Sequence, residues 1–233
     1  MEELNRVSRA AEFYSIESEF DKKLVEYRFQ TLKPLLHGDT GLEMGPGSGA
    51  MTKSLSDEFK RLDIVEGSKE LLDEIPDLEN SRKFCSLFED FTPDCTYDSI
   101  IIEHVIEHVD NPQSLLKSAK NWLAPGGKIF VGVPNADSLH RQVAVEMGIL
   151  EHTTELNQRD LDFGHRRVYT KQALIDEIQS AGLKVYDFKG VFLKPLSNGQ
   201  IDKDWTPEMW EGFFKLGNNF PDICAEIMCI CGN

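Results

Sequence analysis

The chain has 233 residues, 40% hydrophobic and 28% charged, with a formal net charge of −15 at pH 7. That length suits one large α/β domain with a full core, and the acidity repels phosphate backbones, which argues against nucleic acid as a partner. Apolar runs fall short of the roughly 20 residues that cross a bilayer, and the opening Met1-Glu2-Glu3-Leu4-Asn5-Arg6 lacks the basic and apolar regions of a secretion signal, so a cytoplasmic protein with reduced cysteines is expected.

Residues 1–37 read as a helical cap. Phe20, Leu24, Tyr27, Phe29, Leu32, Leu35 and Leu36 fall near a 3.6 period, with Pro34 disturbing the last turn. The remaining 38–233 read as the main domain. Gly41-Leu42-Glu43-Met44 predicts a short buried strand, followed by the turn Gly45-Pro46-Gly47-Ser48-Gly49 and a helix over 50–60. Glycines at alternate positions admit positive φ and let the backbone approach a ligand closely. The dinucleotide fingerprint requires G-x-G-x-x-G, and the P-loop a following Gly-Lys-Ser/Thr; neither is present. Glu43, two positions before the first glycine, would repel a pyrophosphate but accept hydrogen bonds from an ammonium group.

Glu-x-Gly-x-Gly-x-Gly resembles the first motif of class I S-adenosylmethionine-dependent methyltransferases. The resemblance implies that Glu43, Gly45, Pro46, Gly47 and Gly49 hold the donor, with S-adenosylhomocysteine as the product. It also implies that an N-terminal aromatic, Tyr14, closes over the donor. Leu62 to Glu66 then predicts a second strand ending in a carboxylate, about 20 residues past the loop, where an acid accepts from both ribose hydroxyls. Gly67 and Ser68 follow, and Ser68 caps a helix over 69–75 that stops at Pro76. A weaker strand, 83–87, leads to Phe88 and Glu89, which the resemblance places at the adenine. The acid that relatives carry just before this segment is Ser86 or Leu87 here.

Tyr97 to Ile102 is a continuous apolar run, as in a central parallel strand. It enters Glu103-His104-Val105-Ile106-Glu107-His108, then a helix over 113–123, Pro125-Gly126-Gly127, and a strand over 128–134: a βαβ unit. This stretch resembles the post-strand-4 motifs of the ubiquinone-biosynthesis-like branch of the same methyltransferases, so the resemblance covers 39–134. It implies an α/β, doubly wound, mostly parallel seven-stranded sheet with the last strand antiparallel. It also places Glu103 and His104 beside the methyl group, where His104 is the first candidate for general base, with His165 and Glu103 as further candidates. His104-Val-Ile-Glu107-His108 matches a zinc-peptidase signature, but that chemistry needs all three residues on one helix, and here the motif begins at a strand end. Some quinone O-methyltransferases of the branch hold a divalent metal with an acid at the place of His104 together with Glu107 and His108; because His104 replaces the acid, no metal is expected.

Residues 135–170 break the alternation, with a helix over 138–148 and a polar stretch, and the resemblance makes them an acceptor-binding lid. Arg28, Arg141, Arg159, Arg166 and Arg167 stand out in so acidic a chain, and Arg28, Arg166 and Arg167 with Tyr169 are the candidates for gripping an anionic acceptor bidentately; pairing of the arginines with Asp160 and Asp162 is the structural alternative. Thr170 caps a helix to Ala181, closed by Gly182. A strand over 183–193 kinked at Gly190, a helix over 207–216 and a strand over 225–231 complete the chain. Cys229 and Cys231 alternate along that last strand and are expected as buried small residues rather than zinc ligands. The implied activity is O-methylation of a small polar, anionic acceptor such as a glycan or nucleotide-sugar. The rivals are N-methylation of an amino sugar or protein, and a non-catalytic donor-binding partner. Monomer and homodimer both stay open.

Overall fold

The computed structural model describes residues 18–233. The expected contribution of Tyr14 therefore lies outside the described residues. In chain order the elements are α1 (Glu19–Leu32), β1 (Thr40–Met44), α2 (Thr52–Ser56), β2 (Arg61–Glu66), α3 (Lys69–Glu74), β3 (Ser81–Cys85), β4 (Tyr97–Glu103), α4 (Pro112–Asn121) and β5 (Leu123–Pro134). They continue with α5 (Leu139–Glu146), α6 (Gln158–Asp162), α7 (Lys171–Ser180), β6 (Lys184–Val191), α8 (Asn198–Asp204), α9 (Pro207–Gly217) and β7 (Glu226–Gly232).

The strands form one seven-stranded sheet in the order β3-β2-β1-β4-β5-β7-β6. β1 to β5 pair in parallel, and β7 runs antiparallel to both β5 and β6. Alternation of side chains across the sheet divides its apolar runs between two layers. Ile100, Ile102, Ile129, Val131, Cys229 and Cys231 pack with Leu116, Ala119, Leu174 and Ile178 of α4 and α7. Ile101, Phe130, Met228 and Ile230 pack on the other face with Leu32, Leu55, Leu72 and Ile75. Both cysteines are thus buried in the first layer, as free thiols.

The order of the strands reverses between β1 and β4. Crevices outside the carboxyl ends of such a pair are where open α/β sheets bind ligands. Here those ends carry the Gly45–Gly49 turn and the Glu103–His108 loop.

α1 ties the two ends of the chain together. Phe20 packs against Phe192 and Trp210, and Tyr27 stacks on Phe192 and Phe214. Pro34 sits in a short 3₁₀ turn, Lys33–Leu35, that ends the helix.

Several boundaries differ from the sequence reading. The helix expected over 50–60 is confined to Thr52–Ser56. Gly49 at φ +79° spends the first residues in a turn, and Lys60 and Arg61 both donate their backbone N–H to Asp39 O, which pulls the chain out before another turn can form. The third strand is Ser81–Cys85 rather than 83–87. β5 starts at Leu123, which pairs with Tyr97, so Pro125-Gly126-Gly127 lies within the strand and the helix ends earlier, at Asn121. In β6 the irregularity falls between Val185 and Asp187, not at Gly190. Gly190 serves close approach instead: a Cβ there would stand 2.5 Å from Pro221 O.

Candidate functional site

A cavity of about 580 Å³ opens at the carboxyl ends of β1 and β4. Gly45, Pro46 and Ser48 of the turn form one side, and Glu103, His104, Asn135 and Glu226 form the floor. α1, α5, α6 and the segment entering α8 close the remainder.

The glycine turn is built by left-handed backbone. Gly45, Gly47 and Gly49 have φ of +65°, +59° and +79°. A Cβ on Gly45 would lie 2.8 Å from Val105 Cγ2 and 3.3 Å from Phe88 Cζ, so Phe88 rests against the turn. Glu66 braces it from β2: Gly47 N donates to Oε2 (3.3 Å) and Ser68 N to Oε1 (2.8 Å). Burial raises the Glu66 pKa despite these bonds. Ser68 caps α3, accepting from Leu71 N. Glu66, Gly67, Ser68, Phe88 and Glu89 lie outside the cavity's lining. Glu43 lies within it, is 3% exposed, and its Oε2 has no hydrogen-bond partner. Burial pushes its carboxyl up to about 7.

The floor is an ion-pair chain. Arg28 Nη2 donates to Glu226 Oε1 at 2.6 Å and Nε to Oε2 at 3.0 Å, while Nε also lies 3.6 Å from Glu103 Oε2. His104, in left-handed backbone at φ 56°, sets Nε2 2.8 Å from Glu226 Oε1 and Nδ1 3.3 Å from Glu107 Oε1. Burial and the Arg28 charge oppose its protonation, but Glu226 and Glu107 outweigh them and hold it up at about 9. Glu226 and Glu107 are themselves held down at about 2, against their burial, by Arg28 and His104 in the first case and by His104 in the second. Burial lifts Glu103 to about 8, and its Oε1 has no hydrogen-bond partner.

Both ring nitrogens of His104 face carboxylates, which favours the protonated ring over one that takes a proton from an acceptor. His165 is placed differently. It lines the cavity, its Nδ1 lies 3.4 Å from Asp160 Oδ1, and its backbone N donates to Asp160 O. Asp160 is held below the usual carboxylate range, against burial, by His165, the Asn157 N–H and Arg141.

The arginines expected to grip an acceptor are used otherwise. Arg166 Nε donates to His108 O and its Nη1 pairs with Asp110; Arg167 Nη1 donates to Ile106 O and Val109 O. Both brace the loop after β4 and lie outside the cavity's lining, as does Tyr169, which is buried in the core with its backbone bridged to Asn135. Arg28 lines the cavity but is occupied by Glu226. Asp162 accepts from Gln158 rather than from an arginine.

Glu107, His108 and His165 bring ligand-type atoms within 4.8 Å of one another. His104 is not in that group, because its ring is turned to Glu226. Burial lowers His108 to about 4. The sequence reading missed Glu226, His140 and Lys194, all of which line the cavity.

A family profile described as a methyltransferase domain matches residues 17–187. The chain is 25% identical over 193 residues to ubiquinone biosynthesis O-methyltransferase of Aeromonas salmonicida (strain A449), covering 79% of this chain and 73% of that protein. It is 34% identical over 103 residues to (S)-coclaurine N-methyltransferase of Thalictrum flavum subsp. glaucum, covering 40% and 28%. Among solved structures, the N-methyltransferase NodS of Bradyrhizobium japonicum WM9, in complex with S-adenosylhomocysteine, matches with TM-score 0.57 at 15% identity, covering 94% of this chain and 89% of that one. The fold and the glycine turn define a class I S-adenosylmethionine-dependent methyltransferase. The chain belongs to the methyltransferase-domain family. No helix among the described residues is long and apolar enough to cross a membrane.

Proposed function

We propose that the protein transfers the methyl group of S-adenosylmethionine to an oxygen of a small polar acceptor bound in the 580 Å³ cavity. The residues fit the donor. Glu43 offers a buried, unpartnered carboxyl oxygen to an ammonium group, and Gly45, with Val105 and Phe88 packed where a Cβ would stand, keeps the turn in the left-handed backbone beside it. Glu66 retains lone pairs for a ribose diol beyond the two N–H groups it already accepts. Bound there, the sulfonium supplies a good leaving group, so the protein's task is alignment, exclusion of water and removal of one proton.

The observation that carries the oxygen reading is the His165–Asp160 pair on the cavity wall. Nδ1 has no hydrogen-bond partner as the ring stands, and the Asp160 carboxylate 3.4 Å away is the acceptor that would hold its N–H and leave Nε2 to take a proton. We assign His165 as general base, with residues 135–170 as the acceptor lid. The test is His165→Asn, assayed with an acceptor that turns over from a panel of hydroxyl and amine compounds. kcat is expected to fall about 100-fold with S-adenosylhomocysteine affinity unchanged. Unchanged kcat would remove His165 from the chemistry.

An amine acceptor is the second reading. It is favoured by the unpartnered carboxyl oxygen of Glu103 on the same floor and by the N-methyltransferases among the relatives. Preferential turnover of the amine members of the panel would establish it.

A further inference from the structure

Among the described residues, the arginine and lysine side chains that line the cavity are paired with carboxylates, with one exception. Arg28 pairs with Glu226, Arg141 with Asp160, and Arg159 with Asp21. Lys194, between β6 and α8, is 9% exposed and lines the cavity. Its Nζ donates to Asn198 Oδ1 at 2.5 Å and lies 4.8 Å from the Phe20 ring centroid. Among the described residues it has no carboxylate within ion-pair distance, although 40 of the chain's residues are Asp or Glu. A buried ammonium without a counter-ion is costly, and proteins retain one where a ligand completes it.

The backbone holds Lys194 in this position. Phe192 adopts φ 61°, a conformation unfavourable for an aromatic residue, and is fixed there by Ala225 N donating to its carbonyl and by burial against Phe20 and Trp210. The turn redirects the chain out of β6 so that Leu193 and Lys194 are both buried.

We propose that Lys194 anchors an anionic group of the acceptor, a carboxylate or a phosphate monoester, and so makes the cavity selective for anionic over neutral acceptors. The inference rests on reading the cavity as the acceptor site. The titratable and charged groups that face Lys194 come from four elements: Asp21 of α1, His140 and Arg141 of α5, Arg159 of α6 and Glu226 of β7. Burial, with the two arginines, lowers its pKa to about 8. Selectivity for an anion is therefore strongest below pH 8 and fades above it.

The experiment is calorimetric titration of the S-adenosylhomocysteine-saturated protein with phenylacetate, phenyl phosphate and neutral phenylacetamide. At pH 6.5 at least one anion should bind about tenfold tighter than the amide, the scale of one charge-assisted hydrogen bond. The anion that binds tighter identifies the source as carboxylate or phosphate. Lys194→Gln should abolish the preference and Lys194→Arg retain part of it, with S-adenosylhomocysteine affinity unchanged in both. Should the glutamine variant fail to fold, loss of the wild-type preference between pH 6.5 and 9.5 carries the test. Equal binding of all three probes, no binding of either anion, or a preference that persists in the glutamine variant or at pH 9.5 overturns the proposal. A selective loss of S-adenosylhomocysteine affinity in that variant also overturns it, since Lys194 would then hold the donor. Failure of the wild type to bind S-adenosylhomocysteine at all would instead contradict the methyltransferase reading itself.

Discussion

Arg28 and Glu226, 198 positions apart, form a two-pronged ion pair that joins the first described helix to the last strand beneath the cavity. Neither residue is exposed enough for water to replace the other. Removing one charge leaves its partner buried and uncompensated, which costs far more than the pair contributes.

Arg28→Met is expected to lower unfolding free energy by about 3 kcal/mol, measured by urea denaturation at pH 7. Met fills the volume, so the loss reports the orphaned carboxylate rather than a void. A change below about 0.5 kcal/mol, the range of ordinary surface substitutions, would show that His104 alone satisfies Glu226.

The floor also dictates how stability varies with pH. Glu103 rises on folding from its ordinary 4.5 to about 8, and His104 from 6.5 to about 9. The folded state binds these protons more tightly than the unfolded chain does. Their stabilisation is complete below pH 4.5 and 6.5 respectively, and is lost as pH climbs through 8 and 9. Glu107 and Glu226, held at about 2, act oppositely: their contribution is present above 4.5 and disappears as pH falls through 2. Glu103→Gln should therefore flatten the loss of stability between pH 4.5 and 8 while leaving the acid limb in place. Urea midpoints across pH decide it; a variant with the wild-type slope in that window would mean that Glu103 is ionised throughout.

The glycine turn has its own expected outcome. Gly45→Ala places a Cβ 2.8 Å from Val105 Cγ2 on a residue at φ +65°. The left-handed conformation alone costs roughly 1–2 kcal/mol, and the loop must move off Val105. Donor affinity should fall at least about tenfold while the fold survives, because the strain is confined to the turn. Calorimetry with S-adenosylhomocysteine measures it, and retained affinity would show that the turn does not touch the donor.

How much of this was legible in the sequence depended on range. The run 97–102 and the turn 45–49 announce themselves locally, because a strand buried on both faces reads as continuous apolar residues and a left-handed turn reads as glycine. α8 was missed because Ile201 is its one buried residue, so no period emerges, although Ser197 and Gln200 form a capping box that was available as a signal. Glu226 sits at the head of an apolar strand and looks like its polar start; only the fold brings Arg28 and His104 to it. Lys194 is hidden in the same way behind Val191, Phe192 and Leu193. Conversely, Arg166 and Arg167 stood out by charge, yet their guanidinium groups are used on the carbonyls of a neighbouring loop. Residue type was readable there, and the partner was not.

A crystal structure of the S-adenosylhomocysteine complex tests the donor site most directly. Both ribose hydroxyls are expected on the Glu66 carboxylate and the amino-acid ammonium at Glu43, with the sulfur facing the cavity that His165 and Lys194 line. A ligand whose ribose is away from Glu66, or whose sulfur faces bulk solvent, would contradict this placement.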